Sequence, residues 1–262
     1  MTTEPVLPGM FCWFEHASDR PTEARRFWSE LLAAEAQDVP LPAGSTMSFL
    51  HRGGQTAFAV KPLDAACEVG PHWVGYVSVP DVDACLARAC AAGARVLSGP
   101  DDSPIGRGAV LQDPQGAVIG VFCAAPGATD GTNPVGHGFI CWCELLTPDV
   151  AASAAFCTEV LGWTCHERSM AGRTFVVAHA GPRPVATIFP RPADDAHPWT
   201  GARWLPYVQV DDVQAIGPAA AAAGARVPCP PMAIPGVGTW RPAVDPSGTE
   251  VAFMEWNRGG RI

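Results

Sequence analysis

The sequence predicts an α+β protein of two tandem domains, each a pair of βαβββ units whose strands form a cupped, mostly antiparallel sheet. Three observations predict it: an internal repeat, an order of strand and helix signals that restarts inside each copy, and cap and turn motifs that recur with it. Gly9-Met-Phe-Cys-Trp-Phe-Glu15 aligns with Gly138-Phe-Ile-Cys-Trp-Cys-Glu144 at an offset of 129, and Asp113-Pro-x-Gly116 with Asp245-Pro-x-Gly248 at an offset of 132. Between them Tyr76-Val-x-Val-x-Asp81-Val recurs as Tyr207-Val-x-Val-x-Asp212-Val, and Ala92-Gly-Ala-Arg-Val96 as Ala223-Gly-Ala-Arg-Val227. One unit of about 125 residues, an ordinary domain size, is therefore present twice.

The elements follow in order. Met10 to Ala17 reads as an aromatic-rich strand, and Pro21 to Leu32 as a helix with proline in its first turn. Thr46 to His51 and Gln55 to Val60 form a hairpin around Gly53-Gly54. Trp73 to Val79 then starts the order again, with a helix over Val82 to Ala92 and strands over Ala109 to Gln112 and Ala117 to Cys123. The second copy repeats this with strands at Phe139–Leu146, Thr174–His179, Val185–Phe189, Trp204–Val210, Thr239–Val244 and Glu250–Trp256, and helices at Val150–Leu161 and Val213–Ala223. The domains are set at 6–125 and 135–257, with a linker over Ala124 to Val135 where Pro, Gly, Thr, Asp and Asn cluster without periodicity.

A formal charge of −9 with 17 Lys and Arg argues against a phosphate-tracking surface, so nucleic acid is not an expected partner. The N-terminus opens polar and acidic, and no apolar run approaches the roughly 20 residues that span a bilayer. A soluble cytoplasmic protein without a membrane partner is expected. The ten cysteines lie mostly inside strand and helix patterns with no C-x-x-C, which favours buried reduced thiols.

The βαβββ doubling, the Val-x-Asp-Val strand end, the Gly-Ala-Arg-Val helix end and the Asp-Pro-x-Gly turn together resemble the vicinal oxygen chelate superfamily of glyoxalases, bleomycin-resistance proteins and extradiol dioxygenases. The Cys-Trp-x-Glu opening of each copy is similar to the two-domain actinobacterial branch with its Cfp30B-type antigens and DnrV-type accessory proteins of anthracycline biosynthesis. The resemblance implies two glyoxalase-like domains. In metal-using members it implies a His on the first strand, a His opening the fifth and a Glu on the last. Those positions fall on Trp13 and Trp142, on Val74 and Leu205, and on Gly120 and Ala252. None offers a donor atom to a divalent cation, so no metal and no other cofactor is expected. A shift of one residue would bring Cys12 and Cys141 to the first position and leave the others unrepaired.

Strand parity places Phe11, Trp13 and Glu15 on one face, Ile140, Trp142 and Glu144 on its counterpart, and Tyr76 and Tyr207 with Val74 and Leu205. Each cup then offers an indole, a phenol and a carboxylate, an apolar wall with a few polar groups. A strand tryptophan serves equally as core, and that reading stands beside this one. A mid-strand carboxylate between apolar neighbours calls for a partner or a task. Glu250 has the parity of Ala252, whereas its counterpart Val118 is apolar. The histidines are given no role: His51 and His179 match each other at hairpins, His16 points to the opposite face from Glu15, and His72, His137, His166 and His197 lack counterparts.

The resemblance, with these side chains, leads to a metal-free binder of a small aromatic metabolite, accessory to aromatic polyketide antibiotic biosynthesis or to drug self-resistance. The alternative is a metal-independent isomerase, cyclase or oxygenase acting on a phenolic substrate, with Glu15 or Glu144 as general base. Either a monomer, with the duplication supplying the pairing of single-domain relatives, or a homodimer is expected.

Overall fold

A computed structural model describes residues 7–41, 44–64, 68–126, 128, 134–170, 172–192 and 200–257. Half of the expected linker, and His197, lie outside them. The chain runs through four βαβββ modules. The first is β1 (Phe11–Ser18), α1 (Pro21–Leu32), β2 (Glu35–Pro40), β3 (Thr46–Arg52) and β4 (Gln55–Pro62), and the second is β5 (His72–Ser78), α2 (Val82–Ala91), β6 (Arg95–Ser103), β7 (Gly106–Gln112) and β8 (Val118–Ala124). The third is β9 (Ile140–Thr147), α3 (Val150–Leu161), β10 (Thr164–Met170), β11 (Arg173–Ala180) and β12 (Arg183–Pro190). The fourth is β13 (Arg203–Gln209), α4 (Val213–Ala222), β14 (Met232–Ile234), β15 (Gly238–Val244) and β16 (Glu250–Trp256).

Two eight-stranded sheets result, ordered β2-β3-β4-β1-β5-β8-β7-β6 and β10-β11-β12-β9-β13-β16-β15-β14. The α+β expectation of two tandem cupped-sheet domains holds. Each module is antiparallel except where its first strand meets its last, which run parallel: Glu15 opposite Ala59, Tyr76 opposite Gly120, Thr187 opposite Glu144, and Tyr207 opposite Ala252. One strand per module was counted in the βαβββ expectation but not placed in the sequence, and each is the outermost of its half-sheet: β2, β6, β10 and β14.

The recurring motifs act at helix and turn ends. Asp81, Asp149 and Asp212 adopt extended backbone and cap α2, α3 and α4 by accepting first-turn N–H groups, from Ala84, from Ala152, and from Gln214 and Ala215. In the Asp-Pro-x-Gly turns, Asp113 Oδ1 accepts from Gln115 and Ala117, and Asp245 Oδ1 from Ser247 and Thr249. Gly116 and Gly248 take φ of 104° and 90°, where a side chain would be strained.

The chain divides into two compact bodies, and each draws on both copies. One comprises residues 1–13, 74–132 and 143–204, and so joins the second and third modules. In it, Trp163 Nε1 donates to Gly9 O at 2.7 Å, Phe11 stands edge-on to Trp163 and Trp204, and α2 meets α3 where Arg88 donates to Val160 O. The other comprises residues 14–73, 133–142 and 205–262, joining the first and fourth modules. Its core is Trp28, Trp73, Phe58 and Phe253, with the wholly buried His16 edge-on to Trp73 at 4.8 Å and its Nε2 2.7 Å from Asp245 Oδ2.

Candidate functional site

Alternation along β1 sends Cys12, Phe14 and His16 one way and Trp13, Glu15 and Ala17 the other. Because His16 sits with Trp28 of α1, the Glu15 face is the one turned from the helix. Glu15 is buried, and its Oε2 lies 2.7 Å from the Lys61 ammonium. This ion pair answers the question that a mid-strand carboxylate poses. Lys61 follows the predicted end of its strand by one residue, and for that reason the sequence did not disclose it.

In the second copy, Glu144 is half-buried and Thr187 Oγ1 donates to it at 3.5 Å. Register puts Phe189 opposite Leu146 as Lys61 is opposite Ala17, so a phenylalanine stands at the lysine position. Phe189 stacks on Phe175 with centroids 4.5 Å apart and planes at 11°, and Arg173 lies over Phe189 at 5.4 Å. Phe175 and Phe189 were legible by parity within predicted strands; Arg173 lies one residue before its predicted strand.

Tyr76 is half-buried with its ring flat on Gly120: a Cβ at residue 120 would come within 2.3 Å of Tyr76 Cδ1. Tyr207 is buried opposite Ala252, with its ring 5.8 Å from that of Trp240. Trp13 and Trp142 are half-buried. Two expected wall residues are instead core: Phe11 belongs to the cluster with Trp163 and Trp204, and Ile140 is 1% exposed. Both open their strands. Glu250, opening β16, is half-buried.

The residues do not fit the metal that the resemblance implies. A carboxylate at position 120 would need the space that the Tyr76 ring fills, and Val74 and Leu205 are buried hydrocarbons. The cysteines beside the first position do not substitute. Cys12 and Cys141 donate their thiols to Tyr76 O and Tyr207 O, and burial pushes Cys141 up to about 12, so it stays protonated. Among the described residues no group of three or more His, Cys, Asp and Glu could hold a metal ion. His51 bonds Gln37 and Thr56, while His179 faces His166 with ring centroids 5.3 Å apart.

Doubled βαβββ modules around cupped sheets define a class, and comparison with known proteins agrees. Residues 13–122 match a glyoxalase-like domain, and residues 140–253 match the glyoxalase/bleomycin resistance protein/dioxygenase superfamily. The candidate glyoxylase CFP32 of Mycobacterium tuberculosis is 30% identical over 250 residues, 93% of either chain. The chain belongs to the glyoxalase/bleomycin resistance protein/dioxygenase superfamily as a tandem two-domain member. The anthracycline biosynthesis protein DnrV of Streptomyces peucetius is 35% identical over 115 residues, 44% of this chain and 42% of its own. In fold, the chain is similar to the 2,3-dioxygenase LapB of Pseudomonas sp. KL28, with a TM-score of 0.66 at 14% identity over 97% of this chain and 94% of that one. No described helix is long and apolar enough to cross a membrane.

Proposed function

We propose that the chain binds a flat, mostly apolar aromatic metabolite on the sheet faces turned from the helices, without a metal, in the service of antibiotic biosynthesis or self-resistance. The observation that carries this reading is the replacement of ligand positions by rings, with Tyr76 lying on Gly120 and indoles at both first-strand positions. Rings stack on rings for about 0.5–1.5 kcal/mol beyond area burial, which favours extended aromatic ligands. Similarity to anthracycline biosynthesis proteins supports the same class of ligand. The partner is a small molecule, not nucleic acid or membrane, and the protein acts as a monomer or homodimer. Tryptophan fluorescence titrated with a panel of polyketide aromatics, beside elemental analysis of the purified protein, tests this. Saturable quenching in metal-free protein is expected; stoichiometric bound metal, or no quenching across the panel, sinks it.

A second reading is a metal-independent enzyme. It is carried by the Glu144 carboxylate, which accepts from Thr187 Oγ1, with Glu15 as its counterpart in the first copy. Glu144→Gln separates the readings. A binder keeps its affinity within about threefold, whereas an enzyme loses about 100-fold or more in turnover with binding intact.

A further inference from the structure

The two copies diverge most sharply on one strip of sheet, formed in the second copy by β10, β11, β12 and β9. Register sets Arg168 opposite Phe175, Phe175 opposite Phe189 by continuation from Val176 and Ile188, and Phe189 opposite Leu146. The next row is His166, Val177, Thr187 and Glu144. Directly opposed residues share a face, so stacked rings, flanking arginines and the Glu144–Thr187 pair occupy one surface of one compact body. Register gives the first copy Val39, Met47 and Lys61 where the second has Arg168, Phe175 and Phe189, and Gln37, Phe49, Ala59 and Glu15 in the next row. Its lysine closes on its own glutamate.

Charge diverges too. Residues 164–190 hold three arginines and one glutamate, while residues 35–62 hold two cations and two anions, in a chain whose net charge is −9. Arg173 already uses the face of Phe189, and Arg168 is exposed beside Phe175.

We infer that this strip of the second copy is a working site and that its ligand is a planar aromatic acid, its rings packed against the Phe175–Phe189 stack and its anionic group, a carboxylate or ionised phenol, between Arg168 and Arg173. The corresponding strip of the first copy takes no such ligand, because Lys61 replaces the ring and pairs with Glu15. This rests on the binding reading above and adds the site and the ligand's charge. Guanidinium groups bind carboxylates through paired donors, and stacking orients the ring plane, so the two features select one ligand class.

The test is calorimetric titration of the full chain with anthracene-2-carboxylate and its neutral carboxamide. The carboxylate should bind at least tenfold tighter. Arg168→Gln with Arg173→Gln should remove that preference and spare the carboxamide. Phe189→Lys, which copies the first domain, should weaken both at least tenfold, and Phe175→Leu checks the same surface if the lysine variant folds poorly. Lys61→Phe should change neither by more than twofold. Equal binding of acid and amide, or an arginine variant that keeps the preference, overturns the charge assignment. A larger effect at Lys61 than at Phe189 overturns the choice of copy. If neither probe nor any neutral polyketide aromatic binds, the broader binding reading falls with it, whereas binding of neutral aromatics alone leaves that reading standing and removes this one.

Discussion

His16 and Asp245 show how one residue changes the chemistry of a repeated turn. Burial opposes ionisation of Asp245, but the charge and hydrogen bond of His16, joined by Ser247 and Thr249, outweigh it and hold the carboxyl below its usual range. The repeat places Leu145 at the His16 position and Asp113 at the Asp245 position. There burial dominates: Asp113 is pushed up to about 6, although backbone N–H groups of Ala117, Gln115 and Gly116 pull the other way. The two aspartates thus couple to pH with opposite sign. Asp245 contributes stability above the unfolded carboxylate range that is lost as pH falls through its depressed value. Asp113 is favourable below the unfolded value and loses that contribution as pH rises through about 6. Asp113→Asn keeps the acceptor oxygen and removes the titration. It should stabilise the chain at pH 7 by up to about 3 kcal/mol, with the gain shrinking toward pH 4, as read by urea melts across pH. His16→Leu strands a buried charge and should cost about 3–5 kcal/mol at pH 7. A deficit below 1 kcal/mol in the same melts would show that the pair is not holding the first and fourth modules together.

At the scale of elements, the strands read from sequence are those buried on at least one face, and the four missed are those with a single neighbour. Glu35–Pro40 and Thr164–Met170 are exposed at nearly every position, so no alternation marks them, and polar edge strands are how sheets avoid pairing with other chains. This governs how much of the site was legible. Glu15, Glu144, the tryptophans and the tyrosines follow from parity on buried strands. Arg168 lies on a missed edge strand, and Lys61 lies just past a predicted boundary, so the charges that distinguish the copies were hidden while the rings were not. Phe11 and Ile140 show the opposite error, since parity gives a face without saying what covers it. Helix ends were the most legible feature, because an aspartate before an apolar run has a local mechanism. Asp149 accepts from Ala152 N at 2.9 Å. Asp149→Ala should therefore cost about 1 kcal/mol in urea melts, and Asp149→Ser should restore most of it; equal loss in both variants would mean that the cap contributes nothing.

On the scale of the whole molecule, the repeat and the packing divide the chain differently. The sheets follow the copies, because strands of one copy pair with each other. The compact bodies follow another rule, joining second module to third and first to fourth. Side chains make these joins: Trp163 to Gly9 and Phe11 to Trp204 in one body, His16 to Asp245, Trp28 to Phe253 and Arg20 to Pro246 O in the other. Cutting the chain between the copies would therefore expose both cores at once. Trp28 and Trp163 are at most 1% exposed and lie at these joins, so each half would present indoles to water where it now has a partner. Two fragments, residues 1–126 and 134–262, should each lack a cooperative thermal transition when expressed alone. Mixed at equimolar ratio, they should form a one-to-one complex by light scattering and regain a single transition. If either fragment alone melts cooperatively as a monomer, the copies are independent folding units and the joins are decoration on two self-sufficient domains.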